Sequence, residues 1–212
     1  MKKQLCGVLA VILITALLSL TVYGLGAETS RQYEFKGFTA LSVVSGMKLE
    51  VTQGEKYEVM IRSNQLELVR VEHSGELLRF YLPPFTVTTA SINIFITMPE
   101  LTKLDLSGGS IAHITMKVTP KNFRASLSGG SRITGTLQAK RLELDLSGGS
   151  QTSLTGKADT MVIDASGGSR IQQELFPVKE ARLRLSGGCR AEVSVAEVMD
   201  IDASGGSQVY YR

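Results

Sequence analysis

Leu142-Glu143-Leu144-Asp145-Leu146-Ser147-Gly148-Gly149-Ser150-Gln151-Thr152 alternates apolar and polar residues around a Ser-Gly-Gly triplet. The triplet recurs, beginning at Ser107, Ser128, Ser147, Ser166, Ser186 and Ser204, at intervals of 21, 19, 19, 20 and 18 residues. A period near twenty held over six copies marks a stacked-repeat architecture, in which each unit buries its apolar face against its neighbours.

Aligned on the first Ser, three upstream positions are mostly apolar. Five before it stand Thr102, Phe123, Leu142, Met161, Ala181 and Met199; three before it, Leu104, Ala125, Leu144, Ile163, Leu183 and Ile201; immediately before it, Leu106, Leu127, Leu146, Ala165, Leu185 and Ala203. The residues between them are mostly charged. A period of two with one apolar and one charged face predicts a strand buried on one side. Gly-Gly then supplies a corner, because glycine reaches positive φ without a Cβ clash. Twenty residues suit two or three short strands joined by bends, one coil of a β-solenoid. Three residues after the first Ser come Ser110, Ser131, Ser150, Ser169, Cys189 and Ser207. In register these form a ladder of small, inward side chains about 4.8 Å apart. Two further on, Ala112, Ile133, Thr152, Ile171, Ala191 and Val209 also suit the interior. A flexible linker would not be bracketed by regular apolar strands, and a phosphate-cradling loop would need the Lys and longer Gly spacing absent here.

Lys2 and Lys3 precede an apolar run from Leu5 to Val22, then Gly24-Leu25-Gly26-Ala27 and polar Glu28-Thr29-Ser30. Charge, apolar stretch and small residues read as a secretory signal over residues 1–27, cleaved after Gly26 or Ala27. An uncleaved anchor is the alternative, and the membrane is then engaged only through this segment. Cys6 stands at the start of the apolar run and not after it, where a lipoprotein would need its acylated Cys. Export leaves about 185 residues, enough for one domain. The formal charge of +3 then falls to about +1, which is no signature of nucleic-acid binding. Cys189 is left as the one mature cysteine, so no internal disulfide is expected.

Residues 28–99 are read as an N-terminal β region of the same domain, and 100–212 as the repeat solenoid. The former is rich in aromatics (Tyr33, Phe35, Phe38, Tyr57, Phe80, Tyr81, Phe85, Phe95), and alternation continues in Met47-Lys48-Leu49-Glu50-Val51 and Ser91-Ile92-Asn93-Ile94-Phe95-Ile96. Gln53-Gly54-Glu55 and Ser74-Gly75-Glu76 read as hairpin-like turns, and Asn64 to Val71 as a short helix or another strand. This region is expected to cap the open end of the solenoid, since stacked repeats need atypical terminal units.

The leader, the aromatic β-rich opening, the Leu-Asp-Leu-Ser-Gly-Gly-Ser and Ile-Asp-Ala-Ser-Gly-Gly-Ser units and the final Gly-Gly-Ser-Gln-Val-Tyr-Tyr together resemble the bacterial putative autotransporter adhesin, head GIN domain family. The resemblance covers nearly all of the mature chain. It implies an all-β, right-handed parallel β-helix-like fold in an exported envelope protein, with adhesion as its role. It brings no catalytic residue set. The sequence has no room for a membrane β-barrel after Arg212, which sets it apart from a complete autotransporter.

Asp105, Asp145, Asp164 and Asp202 share one outward position with Ser126 and Arg184. This column is the candidate binding face. Stacked carboxylates offer oxygen ligands for Ca²⁺; the favoured reading is a solvated charged face with Arg184 relieving repulsion between Asp164 and Asp202. His73 and His113 lie forty residues apart without Cys or acidic residues at ligand spacing, so they read as surface residues and not as a zinc site. The repeated serines lack a His base at hand for nucleophilic work. No cofactor is expected.

The function that follows is a non-enzymatic cell-envelope or surface module binding a macromolecule such as a polysaccharide or a cell-surface component. One alternative is a carbohydrate-active enzyme, since β-helices also carry polysaccharide lyases and hydrolases; against it, the charges are spread along the repeats. Another is a structural protein that self-assembles end to end. The chain stops six residues past the last Gly-Gly, at Tyr210-Tyr211-Arg212, so the final coil is expected to present an unpaired edge.

Overall fold

The computed structural model describes residues 28–117 and 122–212; the leader assigned to residues 1–27, with Cys6, lies outside the described residues. The described residues build seventeen strands: β1 (Thr29–Tyr33), β2 (Ala40–Val43), β3 (Lys48–Gln53), β4 (Glu58–Ser63), β5 (Arg70–Ser74), β6 (Leu77–Tyr81), β7 (Asn93–Met98), β8 (Lys103–Leu106), β9 (Ile111–Thr115), β10 (Asn122–Leu127), β11 (Arg132–Gln138), β12 (Arg141–Leu146), β13 (Gln151–Lys157), β14 (Thr160–Ala165), β15 (Arg170–Leu185), β16 (Arg190–Ala203) and β17 (Gln208–Tyr211). The helix among the described residues is one 3₁₀ turn, Leu66–Leu68, and it leads into β5. Asn64 to Val71 therefore contains both a helical turn and the start of a strand.

The strands stack as a β-solenoid with two strands to each coil, one before the Ser-Gly-Gly corner and one after it. Before the corner, β8, β10, β12, β14, the second half of β15 and the second half of β16 pair in parallel. After it, β9, β11, β13, the first half of β15, the first half of β16 and β17 do the same. The register aligns the repeats as the motif does: Leu144 faces Ala125 and Ile163, and Asp145 faces Ser126 and Asp164. Alternation buries one face of each strand, and the enclosed core includes Phe123, Leu142, Leu144, Ile163, Phe176 and Leu183.

Both glycines of each corner lie at positive φ, as in Gly148 (60°) and Gly149 (75°). The corner also settles the Ser ladder. Ser110, Ser131, Ser150 and Ser169 are buried, and each hydroxyl donates to the carbonyl of the Ser three residues earlier at 2.7 Å. A polar side chain is tolerated inside because its own corner satisfies it. Cys189 takes the same place, its thiol 3.1 Å from the Ser186 carbonyl oxygen.

Coils begin upstream of residue 100, which marks where the motif starts and not where stacking starts. β2 lies in parallel between β6 and β8, and β3 between β7 and β9. Stacking order thus departs from chain order: the coil β6–β7, later in sequence, packs outside the coil β2–β3. Val44-Ser45-Gly46-Met47 makes the corner of that inner coil, with Ser45 and Gly46 both at φ 72° and Met47 buried opposite Ser110. A degenerate corner with a bulky inward residue hides this repeat from motif matching.

The cap is made by the remaining strands. β5 pairs antiparallel with β6, β4 with β7, and β1 with β4, so this end of both ladders is covered. Ser74-Gly75-Glu76 turns the β5–β6 hairpin. Gln53-Gly54-Glu55 does not turn a hairpin: β3 and β4 pair with β7 from opposite sides, because β7 inserts between them. Phe38 packs on Tyr57, and Phe35 and Phe38 both meet the exposed His73 edge-on. At the other end Val198 and Ile201 are exposed, and no described strand follows the second half of β16 or β17.

Candidate functional site

The outward residue two positions before each corner falls on one line across the solenoid. Ser42, Asp105, Ser126, Asp145, Asp164, Arg184 and Asp202 are successive register partners. All five residues of the sequence-derived column, Asp105, Asp145, Asp164, Arg184 and Asp202, are therefore brought together. Six coil spacings of about 4.8 Å make this line about 29 Å long.

A second line runs beside it. Two residues on, the first corner serines Ser107, Ser128, Ser147, Ser166, Ser186 and Ser204 wall the same open groove, of about 550 Å³. Its floor includes the edges of Leu106, Leu127, Leu146, Ala165 and Leu185. A shallow trough thus presents carboxylates and hydroxyls on either side of a mostly apolar floor. The motif pointed to these serines only as corners, although their spacing of two from the Asp column placed them on the same side. Ser42 escaped notice because its coil carries the degenerate corner.

Basic side chains on neighbouring outward positions offset the acidic line. Arg124 donates through Nε and Nη2 to the same Asp145 oxygen, at 2.9 and 2.8 Å. That hydrogen bond and the carboxylate charge hold the Arg124 guanidinium above its ordinary range. Lys103 lies 2.8 Å from Asp105, and Arg184 lies 4.0 Å from Asp164. These pairs are solvent-exposed and screened, so they orient side chains more than they stabilise the fold. Among the described residues no three His, Cys, Asp or Glu side chains converge in a group able to hold a metal ion. His73 and His113 stand apart, each exposed; His113 Nδ1 lies 3.1 Å from the Thr134 hydroxyl.

A smaller groove of about 400 Å³ opens at the uncapped end, between Glu174, Arg190, Glu192, Tyr210 and Arg212. The side-chain hydrogen bond between the two carboxyls holds Glu174 above its ordinary range and Glu192 below, with Arg190 adding to the latter. Arg190 stacks over the Tyr210 ring at 4.4 Å. Sequence reading missed this cluster, because it forms only when β15, β16 and β17 stack.

A family model described as "Putative auto-transporter adhesin, head GIN domain" matches residues 37–212. No curated protein matches the chain. Among solved structures, a putative adhesin from Bacteroides fragilis superposes with a TM-score of 0.74 at 16% identity, over 87% of this chain and 97% of its own. A putative lipid binding protein from Parabacteroides distasonis superposes at 0.67 with 14% identity, over 88% and 97%. A putative adhesin from Parabacteroides merdae gives 0.61 at 13% identity, again over 88% and 97%. At these identities the likeness is one of fold.

Proposed function

The chain belongs to the putative auto-transporter adhesin, head GIN domain family, and from that premise we propose an exported, non-enzymatic surface module that binds an extended polysaccharide along the corner groove. The observation that carries this reading is the continuity of the groove. Seven coils each contribute one outward residue to a straight line, so the site matches a repeating linear ligand better than a compact one. Carboxylates and hydroxyls can accept and donate hydrogen bonds to sugar hydroxyls, while the apolar floor can take a sugar face. Export rests on the charge, apolar run and small residues of the leader at 1–27.

The absence of enzymatic turnover is part of the same proposal. Hydrolysis of a glycosidic bond uses two carboxyls poised in different protonation states across one bond. Here Asp105, Asp145 and Asp164 each meet a cation and sit in a repeated environment, so no one position is singled out.

A panel of soluble acidic and neutral polysaccharides, titrated by calorimetry with product analysis alongside, tests the reading. Binding without product release, weakened at least tenfold by Asp145→Asn with Asp164→Asn, supports it. Depolymerisation abolished by one Asp substitution points instead to a carbohydrate-active enzyme. End-to-end association of two copies is a second reading, favoured by the uncovered edge of β16 and β17. Light scattering over a concentration series tests it, and a monomer throughout removes it.

A further inference from the structure

We propose that the loop at residues 82–92 seats the capped end of the solenoid on a lipid bilayer, with Phe85 and Val87 entering its interfacial layer. Elsewhere the step from the first to the second strand of a coil is a tight four-residue corner. Between β6 and β7 it is instead Leu82-Pro83-Pro84-Phe85-Thr86-Val87-Thr88-Thr89-Ala90-Ser91-Ile92, a stretch with no charged side chain. Phe85 is 104% exposed and Val87 93%, the two most exposed large apolar residues of the described chain. Phe85 also holds φ at 62°, a conformation that is unfavourable for a bulky residue. The backbone is thus bent against its preference to present a ring to solvent, where the ring gains no packing.

The loop is held in that form. Leu82 and Ile92 bury its two feet, Thr86 N–H closes a turn on the Pro83 carbonyl at 3.2 Å, and the Thr88 hydroxyl reaches Gln65 Oε1 at 2.6 Å. A fixed uncharged tip with hydroxyls behind it suits the boundary between acyl chains and headgroups. The apolar side chains leave water, nothing charged is desolvated, and the threonines remain at hydrogen-bonding depth.

The occupant follows from where the chain enters the fold. Asn93, the first residue after the loop, donates to Glu28 Oε1 at 3.3 Å. Glu28 is where the described chain begins, only six residues after the apolar run Leu5–Val22. Six residues reach at most about 21 Å. When the apolar run is retained as the anchor, the alternative to cleavage, the bilayer that holds it lies within about 21 Å of the foot of this loop, and the solenoid stands with its uncapped end away from it. The retained run holds the chain at the membrane, and the apolar loop tip on the same end sets which face of the solenoid meets it.

The chain contains no tryptophan, so Phe85→Trp creates a single reporter. The full chain carrying Phe85→Trp, reconstituted into phosphatidylethanolamine and phosphatidylglycerol vesicles, is expected to show blue-shifted emission. Lipids brominated on the acyl chains should quench it at least twofold. Tyr211→Trp at the opposite end should keep water-exposed emission and resist quenching. Emission from Phe85→Trp that matches Tyr211→Trp overturns the proposal, as does equal quenching at both ends, which would lay the solenoid flat on the membrane.

Discussion

Replacing Gly148 or Gly149 by alanine adds the same methyl group to adjacent residues of one corner, yet the structure separates the two sharply. Both lie at positive φ, 60° and 75°, so each variant places an L-residue in the left-handed region. That costs about 1–2 kcal/mol. For Gly149 nothing else is met, since no atom of the described residues lies within 4 Å of the added Cβ. For Gly148 the Cβ would stand 3.2 Å from the backbone nitrogen of Gly129 in the preceding coil. Backbone in a stacked ladder yields only by opening the ladder, an overpacking cost of about 1–3 kcal/mol. Gly148→Ala should therefore lose about 2–5 kcal/mol in all. At about 2–4 °C per kcal/mol for a domain of this size, thermal denaturation followed by circular dichroism should place Gly149→Ala about 2–8 °C below the parent and Gly148→Ala about 4–20 °C below it. Gly156→Ala is the extreme of the series: its Cβ would lie 1.8 Å from the Leu137 carbonyl oxygen. Equal losses for Gly148→Ala and Gly149→Ala would refute the claim that the first glycine of each corner is a stacking residue and the second a purely conformational one.

Thr152→Val should destabilise by about 1–3 kcal/mol because it strands the buried Gln173 amide, whose nitrogen donates to the Thr152 hydroxyl at 2.9 Å. Adding Gln173→Leu should recover most of that loss by also removing the Gln173 oxygen, which has no hydrogen-bond partner among the described residues; urea titration of the three proteins checks both steps. Cys189 should react with iodoacetamide at least about a hundredfold more slowly in the native state than in urea, as read from its peptide mass, because burial shields the thiol. Cys189→Ser should change stability by less than about 1 kcal/mol, since a hydroxyl there completes the bond made in the neighbouring corners. Amide exchange should be fastest at Gln208–Tyr211 in the uncapped coil and slowest in β10, β12 and β14; a uniform rate along the solenoid would contradict the open end.

The repeat was legible in the sequence because period-two alternation and the Ser-Gly-Gly corners are local properties. Each strand's apolar side, each corner's positive φ and the alignment of Asp105, Asp145, Asp164, Arg184 and Asp202 follow from counting residues once coils stack in register. The Ser and Cys ladder was equally local, since each hydroxyl or thiol is satisfied within its own corner. What motif matching passed over was the inner coil of β2 and β3. Its corner replaces the first glycine by Ser45 and the inward serine by Met47, and only pairing with β8 and β9 exposes the equivalence.

By itself the sequence determined that this chain coils, where it turns and which side chains face out, because those are consequences of backbone alternation and glycine conformation. Tertiary structure alone decided the order of the first two coils, the insertion of β7 between β3 and β4, and the closure of one end by antiparallel strands. Those depend on which distant strand edges satisfy each other's hydrogen bonds. The same long-range pairing merges corner serines and stacked aspartates into one groove. It also brings Asn93, at the foot of the Phe85 loop, to Glu28, where the described chain begins.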